Sequence, residues 1–132
     1  MFPDRSNEIL LHKEKAYGYL KEKNYPMARL SFLKWVESVR QQNINRNGKL
    51  ESELEEAKRE YSEFAKNDPL YIKVFCAISP KITEQPGILQ TDLYKLLPEF
   101  GKNDISYVLY FAAEHGKIKR DKKGRTYSLS PL

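Results

Sequence analysis

The chain has 132 residues, a length that fits one compact domain or two very small ones. Its 40% of apolar residues and 12% of aromatic residues are enough to build a core, which excludes a generally disordered chain. No apolar run approaches the roughly 20 residues that a membrane-spanning helix needs, and a single cysteine excludes an internal disulfide. We therefore expect a soluble, cytoplasmic protein with no membrane partner.

The positive charge is concentrated in one short segment. The formal net charge is +5, and residues 117–125 alone carry six basic residues and one acid, so the remainder of the chain is neutral. A charge concentrated in this way is typical of a surface that contacts phosphate groups. The six basic residues are Lys117, Lys119, Arg120, Lys122, Lys123 and Arg125.

Three amphipathic helices are predicted in the N-terminal half. The first runs from a cap at Ser6 or Asn7 to about residue 23, and the second starts at Pro26 and ends near residue 42. The third covers about residues 49–66, with its acidic residues crowded into the first half, as the helix dipole favours. The apolar residues that repeat at helical spacing are Ile9, Ala16 and Leu20; Ala28, Phe32, Trp35, Val36 and Val39; and Leu50, Leu54, Ala57, Tyr61 and Phe64.

A fourth helix is predicted from two local signals. Asp68 caps it and Pro69 fits its first turn, whereas Ser79-Pro80 is expected to end it after Ile78. The lone cysteine, Cys76, lies in this apolar segment, so we expect a buried thiol with a structural role.

Two short helices and a hairpin are predicted next. Residues 87–97 contain a short apolar segment and a small amphipathic helix, and a turn leads to a second helix at 103–115 that Gly116 ends. Residues 118–121 and 125–129 alternate apolar and polar side chains on either side of a Lys-Lys-Gly turn, which predicts a β-hairpin. This order of helix, turn, helix and basic hairpin resembles the winged helix-turn-helix family.

The resemblance implies a DNA-binding domain. In that family the second helix of the motif enters the major groove, and the hairpin, or wing, lies beside it. The core-facing residues of the helix at 103–115 are predicted to be Ile105, Val108, Leu109 and Ala112. The outward-facing residues are predicted to be Asn103, Asp104, Ser106, Tyr107, Tyr110 and Phe111. The candidate DNA contacts are Asn103, Ser106, Tyr107 and Tyr110, together with Lys117, Lys119, Arg120, Lys122, Lys123 and Arg125 of the wing.

The first two helices resemble a different family, on the segments Gly18-Tyr19-Leu20 and 24–28 and on Phe32. These residues resemble one tetratricopeptide-type helical hairpin, and with the third helix the segment resembles the microtubule-interacting and trafficking module. The resemblance implies a helical hairpin with a packing helix, which would supply a surface for a protein partner or for self-association.

No motif for catalysis or for cofactor binding is present in the sequence. His12 and His115 are far apart, and only Cys76 could join them in a soft metal site, so no zinc-binding spacing exists. The carboxylates of residues 51–63 are interleaved with basic residues, as on a solvated helix face. A glycine-rich phosphate loop, a nucleophile elbow and a paired-histidine motif are all missing. We expect neither an enzyme, nor a metal site, nor a cofactor.

The predicted fold is mainly α with a small β-hairpin. Residues 1–67 are assigned to an N-terminal three-helix antiparallel bundle for interaction or dimerisation, and residues 68–132 to a winged helix-turn-helix domain. The expected function is binding of double-stranded DNA by a small accessory or transcription-regulatory protein. Because the helix at 103–115 carries no Arg or Lys, strong sequence reading is not expected. Two alternatives stay open: an adaptor whose helix 103–115 offers an aromatic face to a protein, and an RNA-binding factor that uses the same wing.

Overall fold

The computed structural model describes residues 6–132, and this part of the chain is mostly helical with a small antiparallel sheet, as predicted. The predicted cap at Ser6 lies outside the side chains that the structure describes, and residues 1–5 of the predicted N-terminal domain lie outside the described range. The helices are α1 (Ser6–Lys21), α2 (Tyr25–Asn45), α3 (Glu51–Asn67), α4 (Pro69–Glu84), α5 (Gln90–Leu96) and α6 (Lys102–Glu114). The strands are β1 (Ile88–Leu89), β2 (Ile118–Lys123) and β3 (Thr126–Pro131).

Internal contacts divide the chain into two compact units. The first ends at Ala65, and the second comprises Lys66–Leu132, so the division falls inside the last turn of α3. The assignment of residues 1–67 to an interaction domain and of residues 68–132 to a DNA-binding domain stays a prediction.

The first unit is a three-helix arrangement around an aromatic core. The Phe32 ring of α2 stacks on the Phe64 ring of α3, with 4.8 Å between their centroids, and lies 6.1 Å from the ring of Trp35. All three side chains are buried, in agreement with the predicted apolar stripes. The hydroxyl of Tyr17 in α1 donates a hydrogen bond of 2.7 Å to Glu60 Oε2 in α3. Phe32 therefore connects the single tryptophan to the third helix.

The turn between α2 and α3 is held by one buried side chain. Asn43 Nδ2 donates to Glu51 Oε2 at 2.9 Å, and Asn43 Oδ1 accepts from the backbone N–H of Leu50 at 2.8 Å. The sequence predicted that α2 ends near residue 42, but the helix continues to Asn45. The polar residue Asn43 lies within α2 because its side chain is buried and binds residues at the start of the next helix.

Helix α4 continues to Glu84, so the prediction that Ser79-Pro80 ends it is wrong. Proline lacks a backbone N–H and costs about 3 kcal/mol inside a helix. The buried stripe of Val74 and Ile78 extends beyond the proline to Ile82, which is 1% exposed. Burial of an isoleucine contributes roughly 2 kcal/mol, and the hydrogen bonds of the added turn contribute further, so packing offsets the local cost.

Cys76 is exposed, so the prediction of a buried thiol is also wrong. Val74 and Ile78 lie one helical turn apart on the buried face of α4. Cys76 lies two residues from each of them, which places it about 200° around the helix axis, on the solvent side.

The sheet of the second unit is built around its last strand. β3 pairs antiparallel with β1 on one side and with β2 on the other, giving the order β1-β3-β2. Ile88 of β1 lies opposite Leu129, and both side chains are buried. The sequence predicted the β2–β3 hairpin, whereas β1 is a strand of two residues that it did not predict. Gly124, at φ +59°, takes the first position of the two-residue turn between β2 and β3, where glycine is favoured.

The aromatic core gives a prediction about the stability of the first unit. Phe64→Ala should lower the free energy of unfolding by roughly 3–5 kcal/mol, because it removes a buried ring that stacks on Phe32. The fluorescence of Trp35 should shift as Phe32 repacks. Denaturant unfolding measures the first effect and emission spectra measure the second.

Leu33→Ala is the matched control, since Leu33 is 38% exposed on α2 and its removal should change stability by no more than about 0.5 kcal/mol. If Phe64→Ala and the parent protein unfolded at the same denaturant concentration, Phe64 would not be part of a buried aromatic core.

Candidate nucleic-acid interface

Helix α6 buries the face that the sequence predicted. Ile105, Val108, Leu109 and Ala112 are all fully buried, which confirms the predicted core positions. The helix contacts α4 and β2, so it is fixed on both sides within the second unit.

Phe111 is buried as well, at 4% exposed, so the prediction that it faces outward is wrong. Its ring meets those of Tyr107 and Tyr110 edge-on, with centroid distances of 5.3 and 5.0 Å. Phe111 follows Val108 by three residues, and the buried stripe of a packed helix is wide enough to include such a position. The predicted buried stripe of α6, which ended at Ala112 and left out Phe111, was narrower than the observed one.

Tyr107 has a packing role that the apolar spacing of the sequence did not predict. Its hydroxyl donates a hydrogen bond of 2.9 Å to Asp68 Oδ2. Asp68 is fully buried, and its Oδ1 accepts from the backbone N–H of Leu70, which caps α4 as predicted. This contact connects α6 to the start of α4. The predicted role of Tyr107 in DNA binding stays a prediction, and the hydroxyl already has a partner within the fold.

The three other candidates on α6 form one stripe. Asn103 and Tyr110 are exposed, and Ser106 is half-buried. Their spacing of three and four residues places them on the same side of the helix, away from its core face.

The basic residues of the hairpin are divided between its two faces, because successive side chains of a strand point in opposite directions. Lys119 and Lys123 share one face with Asp121, and the Lys119 ammonium lies 3.7 Å from Asp121 Oδ2. Lys122 lies on the opposite face, directly across from Tyr127 of β3. The exposed basic residues of this segment are Lys117, Lys119, Lys122, Lys123 and Arg125.

Lys117 lies just before β2 and packs against α4. Its ammonium is 5.5 Å from the ring centroid of Tyr71 and 5.3 Å from that of Phe75, distances typical of a cation–π contact. The hydroxyl of Tyr71 also lies 3.3 Å from His115 Nδ1. Lys117 is thus exposed and at the same time packed on an aromatic surface.

Arg120 is half-buried, and its side chain contacts other residues of the second unit. Its guanidinium stacks on the Tyr127 ring at 3.7 Å, and its Nε and Nη2 both donate to Gln90 Oε1, at 3.2 and 3.1 Å. Gln90 is 5% exposed, and its Nε2 donates to the hydroxyl of Tyr94 at 2.6 Å. Burial lowers the pKa of Arg120, while the phenol groups of Tyr127, Tyr94 and Tyr110 act in the opposite direction.

Arg120 therefore ties β2 to α5. A signal for this was present in the sequence, because the alternation that buries Ile118 also places Arg120 on the inner face.

The described residues show little sign of other sites. Within residues 6–132, no group of three or more His, Cys, Asp or Glu side chains is placed to hold a metal ion. In the same range no helix combines the length and apolar character needed to cross a membrane.

Scans against protein-family models and searches of curated proteins and solved structures find nothing that matches this chain.

The Tyr107–Asp68 hydrogen bond predicts how removal of the Tyr107 hydroxyl changes the stability of the protein. Tyr107→Phe keeps the ring but removes a hydrogen bond to a buried carboxylate, so the free energy of unfolding should fall by about 1.5–3 kcal/mol. Thermal and urea unfolding measure the change. Tyr110→Phe removes a hydroxyl from an exposed tyrosine on the same helix and should leave stability unchanged. If the two variants unfolded alike, Tyr107 would have no structural role.

The Gln90–Arg120 contact predicts energetic coupling between α5 and β2. Gln90→Leu leaves the guanidinium without its acceptor and should cost about 1–3 kcal/mol of unfolding free energy. In an Arg120→Met background the same change should cost much less. A double-mutant cycle from urea unfolding measures this coupling, and additive effects of the two changes would contradict it.

Proposed function

We propose that the second unit is a winged helix and that its wing, the hairpin of β2 and β3, binds double-stranded DNA through the phosphate backbone. The order of α5, a turn, α6 and a basic hairpin supports the winged-helix assignment. The position of the hairpin beside α6 supports it further, since β2 contacts that helix.

The observation that carries the proposal is the exposure of the cations around the tip of the wing. Lys119, Lys122, Lys123 and Arg125 are all exposed, and Asp121 is the one acid among residues 117–125. Because these cations lie on both faces of the hairpin and at its turn, the wing can meet phosphates from more than one direction. Release of counterions from DNA then supplies the binding free energy.

The same geometry limits how much sequence the protein can read. Asn103, Ser106 and Tyr110 lie on the face of α6 away from its core, and Lys102 at the first position is the one Arg or Lys of this helix. Arginine and lysine make the commonest specific contacts with guanine, so α6 beyond Lys102 offers little direct discrimination between bases. We infer an accessory or regulatory DNA-binding protein whose affinity comes chiefly from phosphate contacts.

A protein-binding role has support in the first unit. Leu30, Leu33 and Ile44 of α2 are exposed by 41%, 38% and 65% and lie on the side of the helix opposite its core residues. This apolar face favours a protein partner or self-association through the N-terminal helices. An adaptor that uses the aromatic face of α6 has weaker support, because Phe111 is buried and the Tyr107 hydroxyl is bonded to Asp68.

The wing gives the decisive prediction for DNA binding. Replacement of Lys119, Lys122 and Lys123 with alanine should weaken binding to random duplex DNA about equally for all sequences. The slope of log affinity against log salt concentration should become shallower by roughly 0.9 for each phosphate that the wing no longer neutralises. Fluorescence anisotropy with a labelled duplex at several salt concentrations measures both quantities.

A matched control removes the same charge from the first unit. Lys15, Lys21 and Lys34 are exposed on α1 and α2, and their joint replacement with alanine should leave the salt slope unchanged. Equal slopes for the wing variant and the parent protein would reject the wing as the DNA contact.

A further inference from the structure

Two tyrosines lie close to one arginine of the wing. The Arg120 guanidinium of β2 lies 3.7 Å from the centroid of the Tyr127 ring of β3, and the Tyr94 hydroxyl of α5 shares Gln90 with Arg120 as a common partner. We call Tyr94, Arg120 and Tyr127 the tyrosine cluster. They come from three different elements, so the fold and not one local motif brings them together.

Two lysines flank the tyrosine cluster. The Lys102 ammonium lies 6.0 Å from the centroid of the Tyr94 ring. Lys122 is the cross-strand partner of Tyr127 and lies on the same face of the hairpin. Both lysines are exposed, so each can bind an anion beside the aromatic surface.

The tyrosine cluster presents rings to solvent. Tyr94 and Tyr127 are both partly exposed. Arg120 is held in place by two hydrogen bonds to Gln90, so its orientation is fixed before any ligand binds. Aromatic rings and guanidinium planes stack on the flat faces of nucleobases, and this stacking does not depend on the identity of the base.

This chemistry selects unpaired nucleotides over paired ones. Inside a duplex the faces of a base are covered by its neighbours, and only the edges are accessible in the grooves. After Lys102 at its first position, α6 carries no Arg or Lys that would read those edges. A surface that offers ring faces and flanking cations suits a base that has left the stack, with its phosphates near the lysines.

We propose that the tyrosine cluster stacks an unpaired base of a single-stranded stretch of DNA that adjoins the duplex held by the wing. This inference rests on the proposed function, since the wing fixes the duplex and the tyrosine cluster receives the strand that leaves it. The preferred ligand is then a duplex with a single-stranded extension, such as a DNA end or a junction.

The test compares two probes by fluorescence anisotropy with the full chain. One probe is a blunt duplex of about 20 base pairs, and the other is the same duplex with about six unpaired thymidines. The parent protein should bind the extended probe at least about fivefold more tightly, the low end expected for one stacked base. Tyr127→Ala should remove this advantage without changing affinity for the blunt duplex. Tyr127→Phe keeps the ring and should keep the advantage.

Each outcome separates the two proposals. Because neither Tyr127 variant changes the charge, the phosphates added by the extension cannot explain a difference between them. Tight binding of both probes with no advantage for the extended one would overturn the tyrosine cluster proposal and leave duplex binding by the wing intact. An advantage that survives in Tyr127→Ala would also overturn it. Failure of the parent protein to bind either probe would reject both proposals.

Discussion

The burial of Leu129 on the central strand is the interaction on which the second unit depends. Leu129 is fully buried, lies between Ile88 of β1 and Arg120 of β2, and accepts the backbone N–H of Gly87 at 2.7 Å. β3 also contacts α4 and α5. α5 has only seven residues, too few to be stable as an isolated helix. Its position, and with it the position of Gln90 and Tyr94, follows from packing against this strand.

The same strand geometry decides what each basic residue of the hairpin can do. The pleat turns Arg120 inward to Gln90 and Tyr127, and turns Lys119 and Lys123 outward beside Asp121. Six basic residues in nine positions thus serve different purposes, although they form one cluster in the sequence. Arg120 holds Gln90 and Tyr127 in place beneath the surface, and Lys117 packs against the aromatic rings of α4. The exposed lysines remain available to an anion.

The parts of the fold that periodicity determines were predictable from the sequence. The buried stripes of α2, α3 and α6 and the hairpin were found because burial repeats at regular spacing along one element. The features that were missed depend on contacts between distant residues. Pro80 stays inside α4 because Ile82 is buried, and β1 is a strand because Ile88 meets Leu129, about 40 residues away. In the candidate site, the exposed lysines were predictable from composition, whereas the Tyr107–Asp68 and Arg120–Gln90 contacts required the tertiary structure.

The strand order also has a consequence for synthesis on the ribosome. β1 and β2 are made before β3 but do not pair with each other, since β3 lies between them. No ladder of this sheet can form until β3 has emerged from the exit tunnel, and the surfaces of α4 and α5 that contact β3 stay uncovered for that time. The first unit is built from a hairpin of neighbouring helices with local contacts, which can fold while the rest is still being translated. The surface that β3 covers is therefore open to chaperones and to aggregation until this strand has emerged.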